Sequence, residues 1–132
     1  MKKFLPLVLI SLLALTGCAA PQASASSYRQ ITMEEAIAIM ADETGYIILD
    51  VRTEAEYQSG HIPGAMLLPN ETIGSAEIPS LPDKDQLILV YCRSGNRSKQ
   101  AASKLAQLGY TNIVEFGGIN AWPGEVVTDT TP

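Results

Sequence analysis

One of the chain's two cysteines, Cys92, stands between the apolar run Leu87-Ile88-Leu89-Val90-Tyr91 and a stretch that turns helical at Ser98, with Arg93, Arg97 and Lys99 around it. A thiol in that company is a candidate nucleophile, because the thiolate is the attacking species and neighbouring cations favour it. From Cys92 to Arg97 the chain has six residues, Cys-Arg-Ser-Gly-Asn-Arg. A loop of that length curled over its own cysteine aims several backbone N–H groups at the sulfur, an anion-binding nest. Gly95 allows the close turn this needs. The amino end of the next helix adds partial positive charge and the two arginines add full charges. All three lower the thiol pKa below its free value of about 8.5. The competing expectation is a buried, inert thiol, the commonest state of free cysteine, against which the arginines weigh.

The elements that must position this loop follow from periodicity. Leu87 to Tyr91 reads as a buried strand of a parallel sheet, with Cys92 at its carboxyl end, and Ser98 to Leu108 as a helix with Ala101, Ala102, Leu105 and Leu108 on one face, closed by Gly109. Ligands of open α/β sheets bind at such strand ends. Thr32-Met33-Glu34-Glu35 is a capping box that opens a helix running towards Gly45. Tyr46 to Asp50 is a short strand ending on a carboxylate, and Thr53 caps one or two helical turns through Tyr57. Gly60 to Gly64 is turn-rich and leads into a strand at Ala65 to Leu68. Residues 69–85 form a loop with one short helix near Glu71 to Ser75; a strand at Asn112 to Phe116, a Gly117-Gly118 turn and a short helix stopped at Pro123 complete the series. Strands alternating with helices predict an α/β domain with a mainly parallel central sheet and helices on both faces.

The leader belongs elsewhere. Lys2 and Lys3, then an apolar stretch from Phe4 to Leu15, then small residues at Thr16-Gly17-Cys18, form a secretory signal peptide, residues 1–17. The apolar stretch is shorter than the roughly 20 residues of a membrane-spanning helix. Leu15-Thr16-Gly17-Cys18 resembles the lipobox of bacterial lipoproteins, and the resemblance implies that Cys18 carries lipid. The protein would then sit outside the cytoplasm, held on a bacterial membrane. Residues 18–27 read as the lipidated cysteine and a flexible tether, 28–125 as the domain and 126–132 as a disordered tail. Without the leader, seven basic side chains face fourteen acidic ones, which argues against nucleic acid as a partner. With Cys18 lipidated, Cys92 has no partner for a disulfide.

Asp50-Val51-Arg52, Glu56-Tyr57, Gly60-His61-Ile62-Pro63-Gly64-Ala65, the loop Cys92 to Ser98, and Gly117-Gly118 with Trp122 together resemble the single-domain rhodaneses, which are sulfurtransferases. The resemblance covers about Ile31 to Trp122 in family order and implies a rhodanese-like three-layer fold. It implies that Cys92 takes a sulfane sulfur from thiosulfate or a similar anion as a persulfide and passes it to cyanide or a thiol, with no metal or organic cofactor. Donor binding falls to Arg93, Ser94, Gly95, Asn96, Arg97 and Ser98, and support of the loop to Asp50 and Arg52. For Arg52 the alternative is an exposed pair with Glu56 four residues on. His61 is expected to be structural, Trp122 part of the core and Lys99 solvent-facing. A persulfide carrier with little turnover is the second reading. A phosphatase or arsenate reductase is the third, disfavoured because related phosphatases carry C-x5-R where this chain has C-x4-R.

Overall fold

The computed structural model describes Gly17 and residues 27–128. The rest of the expected signal peptide, Cys18, residues 19–26 of the tether and residues 129–132 lie outside the described residues. Among those described, no helix is long and apolar enough to cross a membrane.

Five parallel strands, β1 (Arg29–Gln30), β2 (Ile47–Asp50), β3 (Met66–Leu67), β4 (Ile88–Cys92) and β5 (Ile113–Gly118), lie in the order β1-β5-β4-β2-β3. β4 is central, and all five of its residues are buried. Alternation along it explains why: Ile88, Val90 and Cys92 point into one apolar cluster, Leu89 and Tyr91 into the other. Helix α3 (Asn96–Gln107) covers the first face through Ala101, Ala102, Leu105 and Ala106. Helix α1 (Met33–Asp42), with Ala36 inward, covers the second together with Ile62, Ala65 and the ring of Tyr57 from helix α2 (Glu54–Ser59).

The local signals act as their chemistry requires. The Thr32 hydroxyl accepts the Glu35 N–H while the Glu35 carboxylate accepts the Thr32 N–H, the full capping box. Thr53 caps α2 by accepting the Glu56 N–H.

Four expectations need correction. α1 ends at Asp42, before Gly45 is reached. α3 begins at Asn96 rather than Ser98, because Gly95 takes the helix-initiating position in the left-handed region, φ 111°. Gly117-Gly118 is no free turn but the end of β5: Val90 pairs with Glu115 and Cys92 with Gly118, so β5 carries one extra residue there, a bulge opposite the cysteine. The expected tail starts too early as well, since Val127 exchanges both backbone hydrogen bonds with His61, each 2.9 Å. Between β3 and β4 the one helical piece is a 3-10 turn, Asn70–Thr72.

Candidate active site

Cys92 is the last residue of β4, and the chain turns back over it at once. Gly95 donates its N–H to Sγ at 3.0 Å. Burial pushes the thiol pKa up, but the polar Ser98 side chain and the N–H groups of Ser98, Gly95 and Ser94 outweigh it, and the net displacement is downward. The thiol is free, and Cys92 as a whole is only 1 % exposed. Both sequence expectations therefore meet here: the cysteine is buried, yet it is buried against hydrogen-bond donors.

The six residues named for donor binding separate. Arg93, Ser94 and Asn96 are exposed. Gly95 is buried and supplies its backbone. Ser98 is fully buried at the amino end of α3, with Oγ 2.6 Å from Glu115 Oε1, so it belongs to the floor of the loop rather than to its mouth. Arg97 is already engaged: Nη1 and Nη2 donate to Glu56 Oε1 and Oε2 at 2.7 and 2.9 Å, a fork-to-fork pair. That pair holds the Glu56 carboxyl down at about 2, chiefly through the Arg97 hydrogen bonds and against the effect of burial.

Asp50 and Arg52 form the support beneath. Asp50 is fully buried and accepts from Arg52 N–H, Nε and Nη2 and from the Tyr91 hydroxyl; Arg52 Nη2 also donates to the Gly60 carbonyl at 2.7 Å. Arg52 is 4 % exposed, which excludes the exposed pair with Glu56. Burial lowers the Arg52 pKa, and the hydrogen bond and charge of Asp50 more than restore it. A buried pair of this kind costs about 3–5 kcal/mol when one partner alone is removed, because the other charge is left uncompensated. The support reaches the loop through Tyr91, the residue before Cys92, rather than by direct bonds from Asp50 to residues 92–98.

Sequence reasoning missed Tyr91, Glu56 and Glu115 as parts of this assembly. Glu115 is 3 % exposed, and its Oε1 accepts from Ser98 Oγ and from the Gly117 N–H at 2.9 Å. A charged residue inside the apolar run of β5 was the available signal. His61 is fully buried, stacked on Tyr57 with ring centroids 3.7 Å apart, and Nδ1 lies 2.9 Å from the Tyr57 carbonyl, a structural setting. Trp122 is half-buried against the α1-side cluster, its Nε1 donating to the Glu125 carbonyl, and Lys99 is exposed. Among the described residues no group of three or more His, Cys, Asp or Glu could hold a metal ion.

Residues 32–125 match the family model of the rhodanese-like domain. A protein of Allochromatium vinosum named sulfurtransferase is 43 % identical over 86 residues, 63 % of this chain and 77 % of that one. A thiosulfate sulfurtransferase, GlpE, of Pseudomonas entomophila is 35 % identical over 105 residues, 76 % and 93 % of the two chains. Among solved structures, the rhodanese-like domain of the Anabaena protein Alr3790 superposes with a TM-score of 0.68 at 30 % identity, covering 78 % of this chain and 83 % of that one. An E. coli rhodanese determined with anions gives 0.58 at 31 % identity, with 64 % and 99 % covered. A parallel sheet in this order, a cysteine loop at its centre and relatives across most of the domain agree: the chain belongs to the rhodanese-like family and is a rhodanese-type sulfurtransferase.

Proposed function

We propose that the protein moves a sulfane sulfur from thiosulfate or a similar small anion to a thiol or cyanide through a persulfide on Cys92. The observation that carries this reading is Cys92 at the end of the central strand with the Gly95 N–H donated to Sγ at 3.0 Å, in a loop whose Ser94, Gly95 and Ser98 N–H groups lower the thiol pKa. The Cys92 thiolate attacks the outer sulfur of the donor; a Cys92–S bond forms, the donor's S–S bond breaks, and sulfite leaves with the electron pair. The loop N–H groups then hold the terminal persulfide sulfur as an anion. Cyanide or a thiolate attacks that sulfur, and the bonding pair returns to Cys92. The six-residue loop and a cysteine 1 % exposed suit a slender terminal sulfur better than a phosphate ester.

Thiocyanate formation from thiosulfate and cyanide tests this, with the protein and with Cys92→Ser. Product that depends on Cys92, and a gain of one sulfur mass after thiosulfate alone, are the expected results. No Cys92-dependent product would leave the persulfide carrier as the better reading.

The setting we propose is extracytoplasmic, with the protein lipid-anchored to a bacterial membrane through Cys18. Support comes from Leu15-Thr16-Gly17-Cys18 after a basic start and an apolar stretch. Labelled palmitate should enter the full chain and fail to enter Cys18→Ser; equal labelling of both would overturn it.

A further inference from the structure

We propose that Glu56 sets the charge selectivity of the Cys92 site, cancelling Arg97 so that singly charged reactants, such as a persulfide anion, are favoured over dianions. Two free cations beside the N–H ring would favour a dianion, and on sequence spacing Arg93 and Arg97 supply them. The fold withdraws one. Arg97 is held through both terminal nitrogens by Glu56, reaching from α2 to α3, and it is within electrostatic reach of Cys92 and of Glu71 in the 3-10 turn. Glu56 is itself fixed, accepting from the Thr53 hydroxyl at 3.2 Å. Arg93 is exposed and makes no ion pair among the described residues. Of the two guanidinium groups of the loop, one is therefore cancelled by a carboxylate, while Glu115 lies buried beneath Ser98 and the Asp50–Arg52 pair is neutral as a unit. What remains to attract an anion is the ring of N–H groups at the sulfur, which matches one terminal charge, and Arg93.

Glu56 stays ionised through the whole working range, its carboxyl being held at about 2. Its carboxylate therefore opposes every incoming anion in proportion to that anion's charge, a selectivity built from repulsion as much as attraction. The choice of persulfides as the favoured reactants rests on the sulfurtransferase reading; the selectivity itself does not.

Perchlorate and sulfate make the test, being ions of the same tetrahedral shape with one and two charges. Each is assayed for protection of Cys92 against the neutral reagent iodoacetamide, on the full chain at low, fixed ionic strength. Removing one negative charge should tighten a dianion by the square of the factor for a monoanion. For Glu56→Gln we expect roughly threefold tighter perchlorate and roughly tenfold tighter sulfate. Glu71→Gln, at an exposed side chain with no hydrogen bond or ion pair to lose among the described residues, should shift both in the same squared relation by smaller factors. Equal factors for the two ions, or weaker sulfate protection, in whichever variant folds would overturn the proposal. Protection needs no sulfur transfer, so a failed thiocyanate assay beside a squared relation would remove the sulfurtransferase reading and leave the charge selectivity standing.

Discussion

The Tyr91 hydroxyl donates to Asp50 Oδ2 at 2.6 Å and in turn accepts the Ile62 N–H at 3.1 Å, so the residue before the cysteine ties β4 to β2 and to the segment after α2. Removing that hydroxyl orphans the buried Ile62 N–H and takes one donor from the buried Asp50 carboxylate, which keeps those of Arg52. Tyr91→Phe should lose about 2–3 kcal/mol in urea denaturation. Burial, then Asp50, raises the Tyr91 pKa above its ordinary 10. The native state thus keeps a proton that the unfolded state gives up, so this stabilisation is complete below pH 10 and is lost as the pH rises beyond it. The alkaline loss of stability should be shallower in Tyr91→Phe. An equally steep loss would show that Tyr91 does not resist ionisation.

Ser98 should govern how readily Cys92 ionises. The pH profile of iodoacetamide modification should have its midpoint below about 8.5 in the native protein and move upward in Ser98→Ala, because a polar side chain that favours the thiolate is lost while the burial of the sulfur remains. Reactivity is then retained at high pH and lost earlier as the pH falls. An unmoved midpoint would assign the depressed pKa to the backbone donors alone.

Arg93 is the guanidinium left open at the mouth, and its removal should be felt by the donor rather than by the fold. Arg93→Ala should raise the thiosulfate KM about three- to tenfold, with less than 0.5 kcal/mol lost in stability. A falling kcat at constant KM would place Arg93 on the leaving sulfite instead.

Gly118 lies against the returning loop, where a Cβ would overlap the Arg93 carbonyl and sit 2.6 Å from the Ser94 nitrogen. Both neighbours are backbone and cannot rotate away. Gly118→Ala should therefore cost several kcal/mol, or displace residues 93–95 and abolish the thiolate-favouring ring together with thiocyanate formation. Native-like alkylation at neutral pH in this variant would show the loop to be more yielding than its contacts imply.

What could be read from the sequence was local. Thr32 and Thr53 announce their helices through side chains that reach three residues ahead, and the apolar run before Cys92 fixes both strand and depth. The cysteine loop is contiguous and so was visible as one object. The partnerships that decide its charge were not: Arg97 meets Glu56 across 41 positions and Ser98 meets Glu115 across 17, contacts that exist only after β4 has been flanked by β2 and β5. Arg52 shows the same limit in reverse. Its spacing of four from Glu56 suggested a helical pair, but Arg52 precedes α2 and turns inward to Asp50. The Gly117-Gly118 pair reads as a turn unless the bulge opposite Cys92 is known.

Because every strand runs the same way and Cys92 closes the central one, the reactive sulfur lies at one pole of the molecule. β1 is the first strand and runs parallel to β5, so the polypeptide enters the body from the other pole. Whatever precedes Tyr28 therefore joins the body away from the loop, and the approach to the sulfur is left to the opposite end of the sheet.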